Sequence, residues 1–226
     1  KNLTVDYVDD VNGTTLQADH FAGNEGESAN YNTTSTIQNY ENRGYQLVND
    51  PTKGQNLKYD GQTYTIHFTH TVVPVTPNQP QPDYNYGREN LLRKVTRTIN
   101  YINADGKLVG NKTDAMNFVG TGYFDKVTHQ LVSVNKDGKI TGIGHLDWVP
   151  DKESLPAVTS PAIDGEHVAL ITPADQADGT NVKGVTFDYN SGDLMVDVYY
   201  VKDNMVAKNA QTVNIKQTVH FIDAAG

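Results

Sequence analysis

Hydrophobic and polar residues alternate in three short stretches of the chain, which begin at residues 3, 96 and 217. In the first stretch, alternation places Leu3, Val5 and Tyr7 on one face of a strand and the polar residues between them on the other. The first two stretches end in Asn-Gly and Asp-Gly, which are typical of hairpin turns, and the third ends in the weaker Ala-Gly. This recurrence predicts a repetitive protein built from similar β units.

Each of the first two units also closes with an alternating strand. Tyr64, Ile66 and Phe68 are expected to point inward near the end of the first unit. Residues 194–201 alternate in the same way at the end of the second unit. Each unit is therefore predicted to open with a hairpin and to close with a strand.

One short helix is predicted in the first unit. The polar run at 33–35 can supply an N-cap, and Gly44 provides a C-terminal stop. Ile37 and Tyr40 lie three positions apart on one face of this helix. Hairpin, helix and late strand is the order of a β-grasp fold, whose last strand lies in the middle of the sheet beside the first. We therefore predict an α+β, mostly β chain whose first unit has the β-grasp order.

The second unit shows no convincing helix pattern. Two prolines interrupt residues 155–161, which are predicted to form an extended or irregular crossover. Additional strands are predicted at 118–124, 129–134 and 140–149, with a hairpin turn at 135–139.

A proline-rich segment at 76–83 separates the two units. Three prolines close together predict an extended, semi-rigid spacer, and the alternative is an ordinary long loop. We expect the first module at 1–76, the linker at 77–93 and the second, larger module at 94–203. Residues 204–226 are expected to be a connector and the first strand of a further repeat.

Composition and charge restrict the partners. The chain has 18 Lys and Arg against 27 Asp and Glu, a formal net charge of −9. This balance argues against a nucleic-acid partner and against docking on anionic lipid. The absence of cysteine excludes disulfides, thiolate metal sites and a cysteine nucleophile. No apolar run approaches the ~18 residues of a membrane span, so membrane insertion is not expected.

The chain contains no familiar catalytic motif. His-Glu-x-x-His, Gly-x-Ser-x-Gly and P-loop patterns are missing, so we do not expect an enzyme. His67 and His70 lie three apart on a predicted strand and should point to opposite faces, so they do not predict a metal pair. We expect both to be solvated strand histidines.

No cofactor is expected, although a structural calcium ion is an open alternative. The turn at 133–138 is similar to the first half of an EF-hand loop, but the twelfth position is Gly144 and not glutamate. A plain hairpin is therefore favoured at that turn. Acidic loops that contain Asp9 and Asp10, or Asp175 and Asp178, stay open as calcium sites elsewhere.

Several short motifs occur in a distinctive order along the chain. In the first unit they are VDYVDD at 5–10, Gly13, and Ile37 followed by Gly44-Tyr45. In the second unit they are VTRTINY at 95–101, DWVP at 147–150 and VTSPAIDG at 158–165, and the join between units is VTPNQP at 75–80. From residue 2 to about residue 203, the order resembles that of the mucin-binding repeats of lactobacilli, of the MucBP or Mub type. One departure is Gly165-Glu166, where family members often have Gly-Tyr.

The resemblance implies a repeat of a bacterial surface adhesin that binds mucus glycoproteins, chiefly through their glycans. An immunoglobulin-binding module and a passive stalk repeat that spaces another adhesive domain are the alternatives. The resemblance also implies two tandem β-grasp (ubiquitin-like) modules joined by the Pro-rich linker. It implies an extracellular, cell-wall-anchored protein with monomeric modules in a tandem array. The start of the chain is not a signal peptide, and LPAVT at 155–159 is a near miss to a sortase signal. We therefore expect export and anchoring signals to lie outside this fragment.

The ligand-binding residues are not assigned by the sequence. Tyr84, Tyr86 and Tyr123 are candidates, because glycans are usually held by aromatic faces and planar polar side chains. A protein partner could instead add a strand to an exposed sheet edge.

Overall fold

The structure is a computed structural model that describes residues 1–203. The strands are β1 (Asn2–Asp9), β2 (Thr14–Ala22), β3 (Tyr45–Asn49), β4 (Thr63–His70), β5 (Val72–Val75), β6 (Leu92–Ile102), β7 (Leu108–Asp125), β8 (Gln130–Val134), β9 (Ile140–Ile143), β10 (Asp147–Pro150), β11 (Glu166–Thr172), β12 (Ala177–Asp178), β13 (Asn181–Val182) and β14 (Leu194–Lys202). The helices are α1 (Thr34–Asn42) and three 3-10 turns at Pro82–Tyr84, Arg88–Leu91 and Ala174–Gln176. The described chain is thus mostly β, as predicted. The expected strand at 217–226 lies outside the described residues.

The folded chain divides into two compact units, which are called the first and second unit from here on and do not coincide with the repeat units of the sequence. The first contains Lys1–Lys94, Met116–Glu153 and Asp188–Asn190, and the second contains, among the described residues, Val95–Ala115, Ser154–Phe187 and 191–203. Within residues 1–203, no helix has the length and apolar character needed to cross a membrane.

The first unit contains a four-stranded sheet with the strand order β2-β1-β4-β3. β1 and β2 form the predicted antiparallel hairpin, and β1 runs parallel to β4. The closing strand therefore lies beside the opening strand in the middle of the sheet, as the chain order predicted. Leu3, Val5 and Tyr7 are fully buried, which confirms the face assigned to them by alternation.

Helix α1 packs on this sheet through Ile37 and Tyr40, the two residues predicted to share its buried face. Burial of a large side chain contributes about 1.5–3 kcal/mol, which compensates for the short length of the helix. The N-cap prediction is wrong in its chemistry. Thr33 holds the cap position, but its side chain makes no capping hydrogen bond. Its hydroxyl bonds instead to the Thr52 hydroxyl at 2.9 Å, because the loop that carries Thr52 folds over the start of the helix.

The rest of the first unit is a second group of antiparallel strands. β5, β8 and β10 each pair with β7, and β9 pairs with β8. The predicted hairpin between β8 and β9 is confirmed, with the Asn135 amide donating to the Lys139 carbonyl at 2.9 Å. The Asn135 carboxamide also accepts from the Asp137 and Lys139 amides, so this turn is closed by its own side chain and is a plain hairpin.

The proline-rich segment differs from the extended spacer that its composition predicts. Thr76 and Gln79 pair across a tight turn, and Gln81 and Tyr86 pair across the next one. Pro82 begins the 3-10 turn inside this second loop, where its restricted φ suits the first position. In these turns the backbone amides and carbonyls bond to each other, whereas in an extended chain they would bond to water.

The second unit contains the strand order β11-β14-β6-β7 and the small β12-β13 pair. β14 is parallel to β6 and antiparallel to β11. Among its described residues this unit has no α-helix, in agreement with the sequence. The crossover after Ser154 is extended, as predicted, with Leu155 bridging to Val185 and Val158 to Val182.

Glu166, the departure from the family pattern, has a structural use in the second unit. Its carboxylate accepts a hydrogen bond from the Ala104 amide at 3.0 Å, in the turn between β6 and β7. A tyrosine side chain has no carboxylate to accept this bond.

The core of the second unit holds a buried arginine that alternation alone did not identify. Arg97 lies on the same inward face of β6 as Ile99 and Tyr101 and is fully buried. Its guanidinium bonds to both carboxylate oxygens of Asp114, at 3.0 and 2.6 Å. It also donates to the backbone carbonyls of Lys183 at 2.8 Å and Pro156 at 2.9 Å.

Candidate functional site

The three tyrosines proposed as ligand contacts occupy different environments in the first unit. Tyr84 is 38% exposed, and its ring stacks on that of His129 with the centroids 4.4 Å apart. Tyr86 packs edge-on against Phe124 in a buried cluster. Tyr123 is 47% exposed and follows the β7 alternation to the face opposite Phe124. The structure therefore does not gather the three into one surface, and none of them lines the groove described next, although Tyr84 stacks on His129, which does.

An open groove of about 580 Å³ lies at the C-terminal end of α1 in the first unit. Its lining residues are Glu41, Asn42, Arg43, Gly44, Tyr45, Thr71, Lys126, Val127 and His129. We term it the basic groove. One wall is the end of α1 and the start of β3, and the other is the loop between β7 and β8.

The two fixed cations of the basic groove, Arg43 and Lys126, are exposed. Among the ion pairs formed within residues 1–203, none involves Arg43 or Lys126. The Arg43 guanidinium lies 5.3 Å from the ring centroid of Tyr40 and 5.9 Å from that of Tyr45. Because an aromatic face attracts a cation without neutralising it, these rings orient Arg43 and leave its charge available.

The two walls of the groove are fastened together by the backbone. The Lys126 amide donates to the Thr71 carbonyl at 3.0 Å, and the Thr71 amide donates to the Gly44 carbonyl at 2.8 Å. A Cβ atom at Gly44 would lie 2.6 Å from the Lys126 carbonyl oxygen, and Gly44 has a φ of +97°. Glycine is therefore needed both for the end of α1 and for this close approach.

His129 has an uncommon backbone conformation beside the groove. Its φ is +59°, in the left-handed region, where a residue other than glycine is uncommon. Its amide donates to the Asp125 carbonyl at 2.9 Å, which closes the loop between β7 and β8. His129 is exposed and lines the groove, and its ring stacks on that of Tyr84.

A buried ionic cluster of His70, Asp9 and Asp125, termed the His70 triad, lies beneath this loop. The His70 ring bonds through Nδ1 to Asp125 at 2.6 Å and through Nε2 to Asp9 at 2.9 Å. All three side chains are 3% exposed or less. Ionised carboxylates only accept hydrogen bonds, so both ring nitrogens donate and the geometry is that of an imidazolium ion.

The expectation of solvated strand histidines is therefore wrong for His70. The prediction that the two histidines point to opposite faces is confirmed. His67 lies on the outer face of β4 and pairs at the surface with Asp10 at 2.7 Å. His70 is buried because it lies on the inner face at the end of β4, where β1 and β7 each contribute an aspartate. The only signal in the sequence was its parity with the buried Ile66 and Phe68.

Asp125 connects the triad to the groove. Its carboxylate also accepts from the Val127 amide at 2.8 Å and from the Thr128 hydroxyl at 2.9 Å. The loop that presents Lys126 and His129 is thus built on a carboxylate that His70 holds in place.

The protonation of the triad follows from its contacts. Burial by itself would lower the pKa of His70, but the hydrogen bonds with Asp9 and Asp125 outweigh it and raise the pKa above the usual 6.5. Burial by itself would raise the pKa of Asp125, but the hydrogen bonds from His70, Val127 and Thr128 lower it below the usual 3.8. The imidazolium and the carboxylate each stabilise the charged form of the other.

These directions predict a stability maximum at mildly acidic pH. Stability from the raised His70 pKa is fully present below 6.5 and is lost as the pH rises through the folded value. Stability from the lowered Asp125 pKa is present above 3.8 and is lost as the pH falls through the folded value. The free energy of unfolding, from urea titrations across this range, should therefore be highest between 3.8 and 6.5. A His70→Ala variant should lose the decline on the alkaline side, and an equal decline in that variant would contradict the assignment.

The four aspartates of the acidic loops considered for calcium lie in different surroundings. Asp9 accepts from His70 and from the Val11 amide, and Asp10 pairs with His67. Asp175 lies in a 3-10 turn and Asp178 in β12. Within residues 1–203, no cluster of three or more histidine, aspartate or glutamate side chains has the arrangement of a metal site.

Comparisons with known proteins agree with the fold. A family model described as a mucin binding domain matches residues 1–70, and one described as a Muc B2-like domain matches residues 86–204. The crystal structure of Mub-RV is 28% identical over 90% of this chain and 99% of its own, with a TM-score of 0.69. The type 2 repeat of the mucus binding protein MUB from Lactobacillus reuteri is 25% identical over 90% of this chain and 100% of its own, with a TM-score of 0.55. No curated protein matches the chain.

Proposed function

Because this chain belongs to the Muc B2-like family of mucin-binding repeats, we propose that it is an adhesin repeat that binds mucus glycoproteins through their glycans. The family model spans residues 86–204, more than half of the 226-residue chain. The mucin binding domain model accounts for most of the remainder. The proposed location is the outside of a bacterial cell, with the repeat carried on a wall-anchored protein.

The proposed architecture is two β-grasp modules in tandem, the first at 1–76 and the second at 94–203, joined by a linker at 77–93. The parallel pairing of β1 with β4 supports this arrangement in the first module. The parallel pairing of β6 with β14 supports it in the second, where the helix is missing. Individual modules are expected to bind weakly, and a tandem array gains strength from multivalency.

The proposed glycan site is the basic groove. The observation that carries it is an open concave surface lined by planar polar side chains, Arg43 and Asn42, and by the exposed His129, whose ring stacks on Tyr84. Sugar rings offer hydroxyl groups to planar polar side chains and C–H faces to aromatic rings. A concave surface with few, well-placed polar groups is the usual form of a small-ligand site.

Binding of the isolated fragment to immobilised mucin tests this function. Surface plasmon resonance should show saturable binding that is lost when the mucin is enzymatically stripped of its glycans. Undiminished binding to stripped mucin would place recognition on the protein part. Binding of purified, deglycosylated antibody fragments would favour the immunoglobulin alternative. A fragment that is folded by circular dichroism and binds neither partner would leave only a passive stalk.

A further inference from the structure

We infer that the basic groove selects saccharides that carry an anionic group, a carboxylate or a sulfate. The inference rests on the proposed glycan-binding function and names the ligand class of that same site. Arg43 and Lys126, one from each wall of the groove, are assigned to hold the anion.

The first support is the charge of the groove lining. Arg43 and Lys126 line one concave surface of a chain whose net charge is −9, and neither forms an ion pair among the described residues. Unpaired cations in a cleft of an acidic protein attract an anionic ligand and increase its local concentration.

The second support is the preorganisation of the two cations. The rings of Tyr40 and Tyr45 hold the Arg43 guanidinium, whose planar fork suits the paired oxygens of a carboxylate or sulfate. Lys126 supplies a point charge on a backbone that is fixed against Gly44. Little loop entropy, and little side-chain entropy at Arg43, is therefore lost when an anion binds.

The neighbouring groups suit the uncharged part of a sugar. Asn42 and Thr71 line the groove and offer an amide and a hydroxyl to sugar hydroxyl groups. The ring of His129, stacked on Tyr84, gives an aromatic surface at the rim. A free inorganic anion would use the cations but not these groups, so a saccharide should bind more tightly than sulfate alone.

Glu41 also lines the groove and opposes an anion. Glu41 therefore provides a second test of the inference, in which the expected change in affinity has the opposite direction. Removal of its charge should strengthen binding of an anionic saccharide, whereas removal of a cation should weaken it.

The experiment compares charge-neutralising variants of the whole fragment on defined oligosaccharides. The probes are a carboxylated oligosaccharide with its carboxyl-reduced form and a sulfated oligosaccharide with its desulfated form. Arg43→Gln and Lys126→Gln should each weaken binding of the charged probes about tenfold or more, the usual effect of losing a hydrogen bond to a charged group. Glu41→Gln should strengthen it a few-fold, and affinity should fall as salt is added.

Matched controls separate the site from general electrostatics. Lys136→Gln makes the same change in net charge at the exposed tip of the β8–β9 hairpin and should leave affinity unchanged. Arg43→Lys keeps the charge but loses the planar fork, and should give an intermediate affinity. Urea titrations establish that each variant is folded.

The outcomes distinguish the inference from the function on which it rests. Failure of the natural fragment to bind mucin would overturn the proposed function. Mucin binding that is insensitive to Arg43→Gln and Lys126→Gln, or equal binding of charged and neutralised probes, would overturn the inference alone. A preference for the carboxylated or for the sulfated probe would identify which anion the groove holds.

Discussion

Replacement of His70 by alanine is expected to lower the free energy of unfolding by about 3–5 kcal/mol, the usual effect of breaking a buried ion pair from one side. The change leaves the carboxylates of Asp9 and Asp125 facing each other in a buried site without their shared imidazolium. It also removes a side chain whose ring packs edge-on against Tyr45. Urea titration at mildly acidic pH, where the triad contributes most, measures the loss.

The same strand offers a matched control. His67→Ala removes a histidine–aspartate pair at the surface, where both side chains are about two-fifths exposed. Exposed ion pairs contribute about 0.2–1 kcal/mol, so this variant should lose much less. Similar losses in the two variants would contradict the account of the triad.

The His70→Ala change should also affect the groove. The Asp125 carboxylate holds the Val127 amide and the Thr128 hydroxyl, so its displacement should loosen the loop that carries Lys126. Amide resonances of Val127 and Thr128 should shift and broaden in the variant. Mucin affinity should also fall, although the buried His70 side chain does not line the basic groove. His67→Ala should change neither the amide resonances nor the mucin affinity.

Replacement of Arg97 by methionine is expected to destabilise the second unit by about 3–5 kcal/mol. Methionine fills much of the space but leaves the Asp114 carboxylate and the carbonyls of Pro156 and Lys183 without their donor. Unfolding monitored in urea gives the size of the loss. Hydrogen exchange should locate it at the amides of Leu155 and Val185, which pair the two segments that the guanidinium joins.

Two further variants test whether the unsatisfied partners cause this loss. Lys202→Met removes an exposed pair with Asp105 in the same unit and should cost less than about 1 kcal/mol. Arg97→Lys keeps the charge but supplies three donors at one point, so it cannot reach all four acceptors. Its free energy of unfolding should therefore lie between those of Arg97→Met and the natural protein. Equal stability of the lysine variant and the natural protein would show that the fork geometry is unimportant.

The sequence by itself determined the local framework of the fold. The two-residue period of strands assigned Leu3, Val5, Tyr7 and Ile66 to the core, and burial confirms each of them. Turn residues placed the hairpins, and the spacing of Ile37 and Tyr40 placed the helix. These features depend on neighbouring residues, so a linear pattern records them.

The tertiary structure decided what the polar side chains do. His70 and Arg97 share the parity of buried neighbours on their strands, but alternation did not predict their burial or their partners, because pairing depends on chain segments that are distant in sequence. His70 bonds to aspartates 55 and 61 residues away, and Arg97 reaches a carbonyl 86 residues away. The basic groove arises in the same way, since Arg43 follows a helix end and Lys126 belongs to a loop after β7. A period of two residues selects a face, whereas the charge and hydrogen-bond partners on that face are set only when the strands and loops assemble.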